Sequence, residues 1–294
     1  MKILFATDGS EASGAAAKLL MASAQPSDSE ITILSVADSL PMFPETYILA
    51  PDLTEKVRAA SQAVVDRTVA GFEEQGFTVQ GEVVEGLPGR SIVERAREGM
   101  FDLVVVGAGS HSWLGHILLG SVSTCVLHNS PVSVLVVHEP PRTEGKLKVL
   151  VATDGSGAAG AAVSDFASLV DPSRCEVTVV SVAKIPYTMA GGYPYPSMVG
   201  LDPALVGDYT EKAKEKADRM GEVLRRAGFQ TETVATDGSP HHLVLEEADK
   251  GGFDLVVVGS RGHGPVLRGI LGSVSDAAAR HAHATLVGRT NRPE

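Results

Sequence analysis

The sequence predicts an α/β chain of two tandem units, each a five-stranded parallel sheet flanked by helices. Three observations predict it. Short β-branched runs alternate with longer helical segments along the chain, a pattern that demands a parallel sheet covered on both faces. The chain repeats itself: Ala6-Thr7-Asp8-Gly9-Ser10 recurs as Ala152-Thr153-Asp154-Gly155-Ser156, 146 residues later, while Phe101–Gly107 and Leu119–Ser123 recur 152 residues later as Phe253–Gly259 and Leu271–Ser275. The chain has 294 residues, two domains' worth at roughly 150 residues each.

In chain order, the first unit has strands expected near 2–7, 31–36, 77–84, 102–107 and 132–138, and helices near 11–23, 53–75, 88–99 and 119–129. Each strand is a run of Val, Ile and Leu bounded by glycine or charge. The second strands, Ile31–Asp38 and Val177–Lys184, still match at 146, but Gly76-Phe77 and Gly228-Phe229 already match at 152. The second copy has therefore gained six residues between them, in the Pro-, Gly- and Tyr-rich stretch 185–201. Lys212–Arg226 reads as a charged helix face. The units are expected at 1–139 and 147–294, joined by a linker at 140–146 that contains Pro140-Pro141. The terminal strands 132–138 and 284–289 are apolar and would be open sheet edges, so they are expected to pair with each other. Gly288 makes ragged pairing the expectation there.

Composition excludes several classes. The net charge of −11 argues against a nucleic-acid binder and against docking on anionic lipid. The charge is uneven: residues 1–145 hold 9 Lys and Arg against 18 Asp and Glu, and residues 146–294 hold 16 against 18. No apolar run is long enough for a membrane span, and the N-terminus reads as a strand rather than a leader. A cytoplasmic location is the expectation. Cys125 and Cys175 are too few and too scattered for a disulfide frame or metal cluster, and both read as small buried side chains. His241, His242, His281 and His283 lack partners at metal-ligand spacing and read as surface residues.

The chemistry lies where strand four ends. Leu255–Val258 stops at Gly259, and the loop that follows carries Arg261, Gly262, His263 and Arg268 before Gly272-Ser273 opens a helix. Glycine at the strand end leaves room for backbone N–H groups to approach a ligand, and an uncapped helix N-terminus favours an anion such as phosphate. In a doubly wound unit the loops after strands one and four converge at the switch point. The Asp8 and Asp154 turns then join the glycine loops in one site per unit.

Gly259, Gly262 and Gly272-Ser273 spell G-x2-G-x9-G-[S/T]. With the Asp turn and the tandem repeat, this resembles the universal stress protein family over nearly the whole chain. The resemblance implies Rossmann-like domains of the adenine nucleotide alpha hydrolase-like type, with strand order 3-2-1-4-5 and dimer-like pairing through the fifth strands. It also implies ATP as ligand, with Mg²⁺ held through the phosphates. Carried over by position, Ala152, Thr153 and Asp154 would lie near the adenosine, with Val182 walling the base. Val258 and Gly259 would lie beside the ribose and phosphates, and Gly262, Gly272, Ser273 and Val274 would hold the phosphates. The first-unit equivalents are Ala6, Thr7, Asp8, Val36, Val106, Gly107, Ser110, Gly120, Ser121 and Val122. The first copy departs from the pattern: Ser110 stands at the second glycine position, with Gly109 one place early.

Bland readings stand beside these. Asp8, Asp154, Ser121 and Ser273 could be helix N-caps, and Arg261 and Arg268 could be solvated loop charges. No Lys follows a phosphate loop as in G-x4-G-K-[S/T], and no nucleophile–base pair is visible. A nucleotide-binding stress or regulatory protein, acting on an unidentified protein partner or through a further homodimer, is the leading reading. A slow ATPase or self-phosphorylating enzyme using Ser273, and a nucleotide-free scaffold, are the alternatives. Two further expectations follow from the loops. The Tyr187 region would act as a flap over the base, and the second site, richer in arginine and glycine, would bind phosphate more tightly than the first.

Overall fold

Strand–helix alternation runs through the whole computed structural model, which describes residues 1–38, 51–109, 119–141, 145–184, 203–262 and 271–290. The first unit comprises β1 (Lys2–Ala6), α1 (Glu11–Ser23), β2 (Glu30–Asp38), α2 (Pro51–Glu73), β3 (Thr78–Gly86), α3 (Pro88–Glu98), β4 (Leu103–Gly107), α4 (Ser121–Asn129) and β5 (Ser133–Val137). The second comprises β6 (Leu147–Ala152), α5 (Gly157–Leu169), β7 (Cys175–Ala183), α6 (Pro203–Arg226), β8 (Gln230–Asp237), α7 (Pro240–Lys250), β9 (Leu255–Gly259), α8 (Ser273–His281) and β10 (Ala284–Gly288). Single 3-10 turns at Pro26–Asp28 and Pro172–Arg174 were not expected from the sequence.

All ten strands form one sheet in the order β3-β2-β1-β4-β5-β10-β9-β6-β7-β8. Each unit is parallel and has the order 3-2-1-4-5, and the two meet where β5 and β10 pair antiparallel. Leu135 faces Leu286 at the centre of that seam. The pairing is regular rather than ragged, and Gly288 stays in register with Gly259 of β9. The glycine answers a different need: a Cβ there would lie 2.2 Å from Ala162 Cα, so α5 can cross β10 only over a bare backbone.

Alternate side chains of each central strand enter different layers, as the pleat requires. Ile3 and Phe5 join Leu19, Leu20 and Phe72 on one face, while Leu4 joins Ile92, Val126 and Leu127 on the other. The Phe-Asp pair before each fourth strand also has a structural use. Asp102 and Asp254 accept from the backbone N–H of Lys2 and Lys148, at 2.8 and 2.9 Å, tying strand four to the start of strand one.

Beyond the fifth strands, the units exchange reciprocal contacts. His138 bonds the Ala279 carbonyl at 2.8 Å, and Arg289 donates to the Leu127 carbonyl, so each caps the end of the other unit's fourth helix. His283 pairs with Glu139 at 2.9 Å across the same seam. That is a role beyond the surface reading of this histidine. His281 and His242 are exposed, whereas His241 is half-buried and lies 3.0 Å from Ser239 Oγ. Cys175 is buried, and desolvation pushes its thiol up to about 11. Cys125 is only half-buried, which corrects its sequence reading.

Candidate functional site

The turns after β1 and β6 have one construction. Asp154 Oδ1 accepts from the Ser156 N–H at 2.9 Å, and Asp8 Oδ1 from the Ser10 N–H at 3.0 Å. The N-caps of α5 and α1 are therefore Ser156 and Ser10, not the aspartates. Thr153 and Thr7 are buried, and their hydroxyls accept from the glycine N–H groups of the same turns. Burial of Asp8 would raise its carboxyl, but hydrogen bonds from Ser10 and Ser13 outweigh it and hold the group below the usual carboxylate range.

Ser121 and Ser273 are not N-caps either: that position is taken by Gly120 and Gly272, and neither supplies a side-chain cap. The serines that matter locally lie two places on. Ser123 Oγ and Ser275 Oγ donate to the carbonyls of Ala108 and Ser260, at 2.8 and 3.2 Å. The N–H groups of Gly120 and Gly272 reach the same two carbonyls at 2.7 and 2.9 Å. Each glycine loop is thus pinned shut at its base, and the first turn of the following helix receives no acceptor from a capping side chain.

Gly107 and Gly259 have a packing use. A Cβ on either would lie 2.5–2.7 Å from backbone atoms of the first turn of α1 or α5. Gly262 is different, since a Cβ there would lie 2.5 Å from Asp154 Oδ2. Ser156 Oγ also donates to the Arg261 carbonyl at 3.3 Å. The Asp turn and the glycine loop therefore meet, as the switch-point argument expects.

In the second unit they enclose a cavity of about 590 Å³ at the carboxyl ends of β6, β7 and β9. Ala152, Thr153, Asp154, Val182, Val258, Gly259, Arg261, Gly262, Gly272, Ser273 and Val274 all line it. Arg268 lies outside the described residues, as do Ser110, His263 and the Tyr187 region. In the first unit, Val106 is buried in the core and Val36 and Val122 pack against it. Ala6, Thr7, Asp8, Gly107, Gly120 and Ser121 take positions equivalent to their second-unit counterparts.

Sequence reasoning missed one wall of the cavity. Lys184 follows β7, while Tyr209, Lys212, Ala213 and Lys216 come from α6 and Pro240 and Val244 from α7. The signal for the α6 residues was their spacing of three and four, which puts them on one helix face. No group of three or more His, Cys, Asp or Glu side chains among the described residues could hold a metal. No helix among them is long and apolar enough to cross a membrane.

Fold and site define a class: tandem doubly wound domains, with a cavity at the switch point of the second whose wall carries an Asp turn, a glycine loop and a helix N-terminus. The chain belongs to the universal stress protein family, whose sequence profile matches residues 1–138 and 147–287. It is 30% identical to a universal stress protein of Mycolicibacterium smegmatis, covering 95% of this chain and 94% of that one. It is 27% identical to a universal stress protein of Mycobacterium tuberculosis, over 97% of this chain and 95% of that one. A solved universal stress protein structure from Archaeoglobus fulgidus shares the fold with a TM-score of 0.69, at 23% identity over 98% of both chains.

Proposed function

We propose that the protein is an ATP-binding regulator of the stress response, and that occupancy of the second cavity is its signal. The cavity itself carries the reading, because it brings eleven of the residues inferred for nucleotide contact onto one wall system. The chemistry of the donor set suits an adenine nucleotide. Val182, Val258 and Val244 offer an apolar surface to a base, and Asp154 can accept from ribose hydroxyls. The N–H groups of Ser273 and Val274 open α8 without a side-chain cap, which favours phosphate. Gly262 lies where a side chain would displace the Asp154 carboxylate. Among the described residues, Asp154 is the sole carboxylate of the lining, which suits Mg²⁺ held chiefly by phosphates and water. Arg261, and Arg268 beyond the described residues, would add charge.

On this reading, units 1–139 and 147–294 are joined by 140–146, work in the cytoplasm, and each carry a site. In the first, Ala6, Thr7, Asp8, Val36, Val106, Gly107, Ser110, Gly120, Ser121 and Val122 would form the weaker one. Nucleotide would order the loops and so change a surface offered to a protein partner. The test is mass analysis of small molecules released by denaturing the freshly purified protein. ATP or ADP at about one equivalent is expected, and its absence, together with no binding in titration, would refute the proposal. ATP turnover well above that of an Asp154→Ala variant would instead favour the enzyme reading.

A further inference from the structure

Among the described residues, the cavity's overlooked wall carries three of its four cations. Lys184, Lys212, Lys216 and Arg261 line it, and Asp154 is the one carboxylate that the described lining sets against them. Lys212 and Lys216 lie on one face of α6, four residues apart, while the acidic residues between and before them, Asp208, Glu211 and Glu215, do not line the cavity. Lys212 stacks over the Tyr209 ring at 5.7 Å. The stem of Lys216 lies along the turn beside Asp154, with its Cγ 3.3 Å from where a Gly155 Cβ would be. These lysines line the same cavity as Arg261 and the N-terminus of α8.

The first unit supplies an internal control. Its α2 begins 152 residues before α6, so Ala60 and Val64 stand where Lys212 and Lys216 do. The match is structural as well as numerical, because Val64 packs against Gly9 as Lys216 packs against Gly155. Asp38 ends β2 where Lys184 follows β7, and Gly109 replaces Arg261. Four cations in one unit correspond to two small or apolar residues, a glycine and a carboxylate in the other. Neither helix propensity nor packing asks for this exchange, since Lys212 and Lys216 are exposed and Ala or Val would cover the turn as well.

We infer that Lys184, Lys212 and Lys216 set the charge selectivity of the second cavity, making it a site for a nucleotide with a polyphosphate chain, while the first unit suits a ligand of low charge. This rests on the nucleotide-binding reading above and deepens it. A lysine wall adds little for a base or ribose, which are neutral, and adds with each phosphate charge. Cation–phosphate contacts are charge-assisted, but exposed ones are screened, so each is worth only a few-fold in affinity.

The test titrates ATP and AMP against the full chain and its Lys212→Ala/Lys216→Ala variant at low and high salt. ATP affinity is expected to fall about tenfold, AMP affinity no more than about twofold, and the salt dependence of ATP binding to flatten. An unchanged ratio of ATP to AMP affinity overturns the inference, whether both ligands weaken together or neither does. That result leaves nucleotide binding itself intact, whereas failure of the wild type to bind either ligand removes the parent reading. An independent arm grafts Ala60→Lys/Val64→Lys into the first unit of a Gly272→Glu protein. A gain in ATP over AMP preference of about threefold or more supports the inference, and no gain counts against it.

Discussion

Gly9 and Gly155 occupy the same turn with φ of +77° and +80°, yet a Cβ on the first would meet Val64 and on the second Lys216. The same contrast recurs at the glycine loops. Gly109 leaves β4 with φ of +46°, while Arg261, its equivalent after β9, has no such left-handed backbone. A Cβ on Gly120 would lie 2.1 Å from the Gly109 carbonyl oxygen, whereas one on Gly272 finds only ordinary contacts, the nearest at 3.5 Å. The two units thus share what the backbone needs: the Asp turn, the strand-end glycine that admits the helix, and the pinned loop. They differ at the basic positions that line the second unit's cavity and in how the loop departs. The duplication separates what the fold requires from what varies between the units, and the basic wall belongs to the second.

The sharpest break in the comparison lies at the ends of the fifth strands. Gly288, in register with Gly259, occupies the place that Val137, in register with Gly107, holds in the first unit, and the α5 backbone crowds the glycine. Gly288→Val should destabilise the protein by about 2–3 kcal/mol through overpacking against Ala162. Urea unfolding would read this, and an unchanged midpoint would mean that the close approach of α5 is wrong.

Gly262 and Gly109 should fail in different ways. Gly262→Ala crowds Asp154 and should weaken ATP binding about tenfold with little change in stability, because only a site contact is lost. Gly109→Ala forces a left-handed backbone on an L-residue and should cost about 1 kcal/mol of stability without touching the second site. Nucleotide titration alongside thermal unfolding would separate them, and identical phenotypes would contradict the division of roles.

The smallest effect concerns the seam. Burial lowers the His138 pKa, aided by His281 and His283 and opposed by the Ala279 carbonyl and Glu139. The folded protein then binds this proton less readily than the unfolded chain does. Stability is unaffected well above pH 6.5, the ordinary His value, falls as pH drops below it, and levels off beneath the folded pKa. His138→Gln should shrink the loss of stability between about pH 7 and pH 5. A drop of the same size in the variant would assign it to other groups.

Much of this was legible in the chain. The repeat offsets located the strands and the insertion, and the open apolar edges of the fifth strands foretold their pairing. The G-x2-G-x9-G-S spacing marked a loop that does meet the Asp turn. Other features were hidden because they depend on distance rather than pattern. The packing need for Gly107 and Gly259 was invisible until their contacts with α1 and α5 were in view. A cap role stood as the alternative to ligand contact for Asp154 and Ser273, but a cap is decided by which neighbouring residue turns out of the helix, and Ser156 and Gly272 do so. Lys212 and Lys216 sit in a charged run that reads as solvated helix, since the sequence alone does not say which face turns toward β7.

The second unit is expected to hold the high-affinity nucleotide site and the first a weaker one. Calorimetric titration of ATP into nucleotide-free wild type and Gly272→Glu protein tests it directly, since the neighbourhood of Gly272 has room for a side chain and the new carboxylate would face the phosphates. One tight site per chain, weakened about a hundredfold or more in the variant while unfolding is unchanged, is the predicted result. Two equal sites in the wild type, or undiminished tight binding in Gly272→Glu, would contradict it.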